Sequence, residues 1–401
     1  MSWPMVKLDK VITFIRGVTF KPDDQVSPFS QDSVVVMRTK NVQMKGLDTS
    51  DLIAIPKSLV KRQEQMLIEG DILMSSANSW ELVGKSSYVE NLGYISTAGG
   101  FISIVRAKKD MIYPRYLFHW IMDPKNQHNI RYCGRKTTNI SNLDVSRFKE
   151  LQIPLPPLEE QKRIAAILDK ADVIRQKRKQ AIELADEFLR SVFLDMFGDP
   201  VSNPKGWEVK SLSALIMKGD KINYGIVQPG DHVEDGIPIV RVGDIKDGSI
   251  DKSKLKRVAR IIDEKHSKSR LVGDEILITC VGATVGKVAL ADASLSGFNT
   301  VRALTRVRLN EEVNRSFVFR YLQSPFIQGY FQSQLRTVGQ PTLNGKQIGE
   351  TPILLPNLNM QREFLQLSDR ALTIKDLSNS QLIEADNMSN SLSQKAFSGQ
   401  L

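Results

Sequence analysis

The stretch at 154–171, PLPPLEEQKRIAAILDKA, returns in altered form at 354–371 as LLPNLNMQREFLQLSDRA, 200 residues later and without a gap. Such a repeat constrains a fold more than any local propensity, because each copy must form the same unit. Around it, Thr137, Leu143, Glu150, Ile153, Leu155, Pro156, Leu158 and Gln161 recur as Thr337, Leu343, Glu350, Ile353, Leu355, Pro356, Leu358 and Gln361. Further on, Asp169, Ala171, Ile174, Ala185, Asp186 and Phe197 recur as Asp369, Ala371, Ile374, Ala385, Asp386 and Phe397. Earlier segments repeat more weakly: VVVMRTKNV (34–42) with PIVRVGDI (238–245), GDILMSS (70–76) with GDEILIT (273–279), and VGK at 83–85 with VGK at 285–287. The chain therefore reads as two copies of one unit, each a globular part of about 150 residues followed by a long helix. The expected boundaries are 1–156, helix 157–199, 200–356 and helix 357–401.

Within each globular part, short β-branched runs such as VVVM, FISIV, PIVRV and DEILIT are separated by turn residues, which predicts strands. One helix is expected in each, at 115–122 and 315–323, ended by Asp-Pro and Ser-Pro. After PLPP the pattern changes. From 158 to 197 there is neither Gly nor Pro, and strong helix formers dominate. Prolines 154, 156 and 157 hold an extended entry, Glu159 and Glu160 suit the positive end of the helix dipole, and Gly198 ends the run. Ile164, Ile167, Ala171, Ile174, Ala181, Ala185, Phe188 and Val192 form a stripe at alternating three and four spacing, with Arg178 interrupting one position, the mark of a coiled-coil seam. Phe364, Leu367, Ala371, Ile374, Ala385, Met388 and Leu392 repeat it. Helices of this length span roughly 60 Å, and their stripes are satisfied by pairing with each other. The fold class is α+β: two mostly β domains separated by two long antiparallel coiled-coil helices, with a pseudo-two-fold internal repeat. The plain alternative is a helical hairpin that braces two domains.

The 55 Lys and Arg exceed the 45 Asp and Glu, for a formal charge of +10. A basic chain with two separated copies of one domain points to duplex DNA with two half-sites. No run of eighteen apolar residues suggests a membrane span. MSWPMVKLDK has no apolar signal region, so a cytoplasmic protein is expected. Cys133 and Cys280 are lone and far apart, and His119, His128, His232 and His266 have no metal-ligand spacing.

The junction IPLPPLEEQKRIAAILDKAD, followed by a long basic helix, resembles the specificity subunits of type I restriction–modification enzymes, over essentially the whole chain. The second junction departs from the motif at Asn357, Asn359 and Met360, which stand for Pro157, Glu159 and Glu160. The resemblance implies a non-catalytic subunit with two target recognition domains, each reading half of an asymmetric split DNA sequence, and helices that fix the spacer. It implies two modification subunits that dock on the chain and methylate adenine N6 with S-adenosylmethionine. Restriction subunits, where they join, cleave DNA with ATP and Mg. No cofactor is expected on this chain.

Catalytic readings fare poorly. VGATVGK (281–287) looks like a phosphate loop, but Gly282 and Gly286 are one residue too close and Val288 stands where Ser or Thr should bind Mg. A strand-turn-strand is expected there. Asn203-Pro204-Lys205-Gly206 departs from an amino-methyltransferase motif at its third position and reads as a turn. A nuclease built on Asp199, Glu208 and Lys210 finds no support in the repeat, where Pro4 matches Glu208.

Base edges are read by Arg, Asn, Gln and Thr, and phosphates by Lys and Arg. Three pairs of loops offer these. The first is 130–141, with Arg131, Arg135, Lys136, Thr138 and Asn139, and its counterpart 334–346, with Arg336, Thr337, Gln340, Asn344 and Lys346. The second is 75–85, with Ser75, Asn78 and Lys85, and 279–287, with Thr279, Thr284 and Lys287. The third is 37–41, with Arg38, Lys40 and Asn41, and 240–244, with Arg241. The wide flank of the first helix, Leu168, Ile182, Leu189 and Met196, is expected to dock the modification subunit, and the basic cluster 175–180 to be a solvated face. The competing readings are a two-domain sequence-specific DNA-binding adaptor without methyltransferase partners and a structural interaction protein.

Overall fold

In the computed structural model, which describes residues 3–44, 46–136, 140–335 and 340–401, the chain forms two compact units. One comprises 1–180 and 378–401, the other 181–377.

The first unit holds two main sheets. One is four-stranded and antiparallel, in the order β1 (Ile12–Arg16), β6 (Ile102–Ala107), β3 (Ile72–Ser75) and β4 (Ser86–Tyr88), counting strands along the chain; the other places β2 (Ser33–Met37) between β5 (Ser96–Ala98), which is parallel to it, and 53–56. The β-branched runs supply the core: every residue of β2 and β3 is buried. The same arrangement returns in the second unit. There 223–224, 304–307, 276–279 and 288–290 form the four-stranded sheet, and 237–240 lies between 256–258 and a parallel 299–300. In both units a short two-stranded pair joins the start of the globular part to the segment before the long helix, 5–7 with 152–154 and 208–211 with 352–355.

Helices form at Pro114–Met122 and Arg315–Gln323, close to expectation. The prolines after them do more than end a helix. Pro124 and Pro325 each open a second helix, Pro124–Tyr132 and Pro325–Gln334. A proline at the first helical position gives up no hydrogen bond, and Asp123 caps the turn by accepting from the backbone N–H groups of Lys125 and Asn126. The segment read as a loop from 130 thus begins as helix.

The long helices run Leu158–Phe197 and Leu358–Ser398. The repeated glutamine sits in the first turn of each. Gln161 is fully buried; its Oε1 accepts the Tyr113 N–H at 2.8 Å, and its Nε2 donates to the carbonyls of Pro156 at 2.8 Å and Met111 at 3.2 Å. Gln361 does the same with the Asn314 N–H at 2.8 Å and the Pro356 carbonyl at 2.7 Å. This clamp is why the motif recurs: it ties the helix start to the globular part. Gln161→Leu should leave a buried N–H and two carbonyls unpaired and destabilise the first unit by about 2–5 kcal/mol, read as a lower midpoint in urea unfolding.

Within each unit the two helices run antiparallel. In the first, Arg163 donates to the Leu401 carbonyl at 2.8 Å and Arg175 Nε pairs with Asp386 at 2.6 Å. In the second, Lys375 pairs with Asp186 at 2.6 Å and the rings of Phe193 and Phe197 pack on Phe364. The repeat maps Arg175 onto Lys375 and Asp186 onto Asp386, so the two ion pairs are copies of one device. They also correct the expected seam. Leu168, with 4% exposure, lies in the core of the first unit, Ile182 and Leu189 are partly covered, and Met196 packs on the core of the second unit. Ile174 and Phe188, expected inside, are 42% and 46% exposed. The buried line follows 164, 168, 171, 175, 178, 182 and 185, and accepts Arg175 because Asp386 and Asp172 hold its guanidinium. Of the four residues expected to dock a partner, Leu168 is therefore buried and Ile182, Leu189 and Met196 are half-buried.

Candidate nucleic-acid interface

A third small sheet brings two candidate loops of the first unit together. Strand 134–136 pairs with 141–143, which pairs with 77–78. The second unit builds the same junction: Thr342 bridges Val281, the Gly282 N–H donates to Pro341 at 3.1 Å, and the Leu343 N–H donates to Cys280 at 2.9 Å. The matching bond in the first unit runs from the Leu143 N–H to Ser76 at 2.8 Å. Lysines of the second loop pair reach the residues just after the third. Lys85 Nζ donates to Gln43 Oε1 at 3.2 Å, and Lys287 Nζ to the Ile245 carbonyl at 2.9 Å. The first two loop pairs thus converge, once in each unit, with the residues that follow the third pair beside them.

Several candidates are committed to shaping these loops. Asn41 is buried, accepts the Arg38 N–H and donates to the Asp48 and Asp51 carbonyls. Arg38 and Lys40 both engage Asp51. Arg241 repeats the turn with Asp244, whose carboxylate accepts its backbone N–H at 2.8 Å and its Nη2 at 2.9 Å. Ser75 is buried and accepts from Asn78 at 3.0 Å, while Thr279 is wholly buried. Asn344 caps the short helix 345–349 in a reciprocal box with Gln347. Burial lowers the pKa of Lys85, and the Arg131 side chain is partly buried with its Nε unpartnered.

Arg135, Thr284, Gln340 and Lys346 are exposed. The Arg135 side chain keeps 78% exposure while Asp144 accepts from its Nε at 3.0 Å and its Nη2 at 2.7 Å. Asp144 also caps the helix 145–150, and the N–H of Arg147, followed by the Arg135 guanidinium, holds its carboxyl below the usual range. Arg135 is thereby fixed in orientation. The side chain of Lys136, and Thr138, Asn139, Arg336 and Thr337, lie outside the described residues. Two exposed residues escaped the sequence reading: Asn142, between buried Ser141 and Leu143, and Phe101, 63% exposed. Strand alternation in SNL was the signal for Asn142.

The would-be phosphate loop is a strand-turn-strand: 276–279 and 288–290 flank it, and Gly282 and Gly286 have φ of +104° and +89°. Asn203 lies in a turn, bonded both ways to the Trp207 backbone. His119 is buried against Asp169 at 2.8 Å, and burial raises the pKa of the Cys133 and Cys280 thiols, which keeps them unreactive. Among the described residues, no helix is long and apolar enough to cross a membrane.

Residues 2–184 and 204–384 match the type I restriction modification DNA specificity domain, and the chain belongs to that family. It is 25% identical over 418 residues to the type I restriction enzyme EcoKI specificity subunit of Escherichia coli K12, spanning all of this chain and 89% of that protein. It is 27% identical over 423 residues to the StySPI specificity subunit of Salmonella potsdam, again over all of this chain and 89% of the relative. In fold it is similar to the crystal structure of a type I restriction–modification S subunit from M. genitalium, with a TM-score of 0.61 at 15% identity, over 99% of this chain and 96% of that one.

Proposed function

We infer that this chain is the DNA sequence-recognition subunit of a type I restriction–modification complex. Each globular part reads one half of a bipartite, asymmetric target. The observation that carries this is the duplicated loop junction within a full-length family match: one backbone scaffold, built twice, with different exposed side chains on it. One scaffold suits one type of ligand, and different side chains suit two different half-sequences. The chain itself carries no chemistry. Two modification subunits dock on it and methylate adenine with S-adenosylmethionine, the paired helices set the spacer, and any restriction subunit of this cytoplasmic complex uses ATP and Mg. Among the candidates, Arg135 and Gln340 suit base edges or phosphates, and Lys346 suits a phosphate.

Methylome sequencing of cells that hold the modification partner, with and without this chain, tests the reading. Deletion should abolish one split adenine-methylation motif. An unchanged methylome would favour a DNA-binding adaptor without methyltransferase partners.

A further inference from the structure

Resting on that reading, the loop junction can be taken to single residues. Strand pairing sets Arg135 opposite Asn142, and Asn142 opposite Ala77. Residues directly opposite on antiparallel strands share a face. Ser141 and Leu143 are buried, so Asn142 points away from the core, and it is exposed. No described residue engages its amide. The row continues to Phe101, whose carbonyl accepts the N–H of Ser76 at 2.9 Å and of Ala77 at 3.3 Å, and the Ser76 hydroxyl at 3.1 Å. Backbone bonds fix every member of this row, and an exposed phenylalanine on so anchored a turn has no part in the core.

The second unit keeps the scaffold and changes the side chains. Thr342 opposite Val281 replaces Asn142 opposite Ala77. The Cys280 N–H donates to the Ala303 carbonyl at 2.8 Å, as the Ser76 N–H does to Phe101, so Ala303 stands for Phe101. Identical backbone bonds with an altered outward row are what two readers of different sequences require. A paired β-ribbon fits the major groove, where an asparagine amide matches the N6 donor and N7 acceptor of adenine, and apolar groups meet the thymine methyl.

We propose that Asn142 is a specificity-determining residue of the first unit, pairing its amide with an adenine in the major groove, with Ala77 and Phe101 as its apolar flank. Thr342 holds the corresponding position for the other half-site.

The test compares methylation motifs in cells that carry the modification partner with wild-type chain, Asn142→Ala, Asn142→Thr or Thr342→Ala. Asn142→Ala should make one adenine position degenerate in one half of the target, with a roughly 5- to 150-fold loss of discrimination there. The spacer and the other half should stay as they were, and Thr342→Ala should alter only that other half. An unchanged motif in Asn142→Ala, or a change in the spacer, overturns the assignment while the specificity role stands. If Asn142→Ala abolishes methylation, Asn142→Thr decides: methylation with a changed base supports the assignment, and continued silence overturns it. A wild-type chain that directs no split motif overturns the specificity reading, and the assignment with it.

Discussion

Raising salt from 50 to 200 mM should weaken binding of the full-length chain to duplex DNA by about 10³–10⁵-fold, the loss expected when six to ten phosphates are neutralised. The formal excess of cations, +10, is the relevant quantity here, because many of the 55 Lys and Arg are already engaged. Arg106 is spent on Asp71, Arg241 on Asp244, and Arg308 on Asp274. Lys346 differs: its side chain is 83% exposed, and its nearest carboxylate, on Glu350, is 3.7 Å away. Exposed pairs of this kind contribute little and are readily exchanged for phosphate. Lys346→Ala should therefore weaken all duplexes evenly and lower the slope of log affinity against log salt by about one. Fluorescence anisotropy over a salt series measures both. Affinity that does not fall with salt would favour the structural interaction protein and remove the charge argument.

What could be read from the residues was local. The long helices follow from forty positions without Gly or Pro, and their starts from a proline cluster, because helix signals depend on near neighbours. The repeat itself was legible by counting. The helix seam was not, because the stripe with more apolar residues looks like the seam until Arg175 is seen to meet Asp386, a partner 211 positions away. The same holds at the loops. Arg38 and Arg241 have the chemistry of DNA readers, yet each closes a turn with an acidic or amide neighbour. Asn142 was passed over because its neighbours on the exposed face, Arg135 and Ala77, are set by strand register. Gln161 and Gln361 stood out as a recurring pair, but their role needed the buried N–H groups of Tyr113 and Asn314.

With the seam corrected, a different set of apolar side chains becomes the candidate for docking the inferred modification subunits. Each unit now exposes one member of each of two repeated apolar pairs on its helices. The first unit has Ile174 and Met388, 42% and 44% exposed; the second has Ile374 and Phe188, 56% and 46% exposed. The repeat maps Ile174 onto Ile374 and Phe188 onto Met388. Two equivalent apolar patches, one per unit, suit two copies of one partner, which is the stoichiometry inferred for the modification subunits. Covering the exposed half of such side chains is worth roughly 1–1.5 kcal/mol each, and a carboxylate in their place adds the cost of burying a charge. Ile174→Glu with Met388→Glu should therefore weaken one copy by about 3–6 kcal/mol, or roughly 10²–10⁴-fold. Because these residues already face solvent, the fold should tolerate the change, as circular dichroism can check. Native mass spectrometry of the purified complex should then show one modification subunit in place of two, and the Ile374→Glu, Phe188→Glu pair should do the same at the second unit. Two copies retained in both variants would place the docking surface elsewhere on the chain.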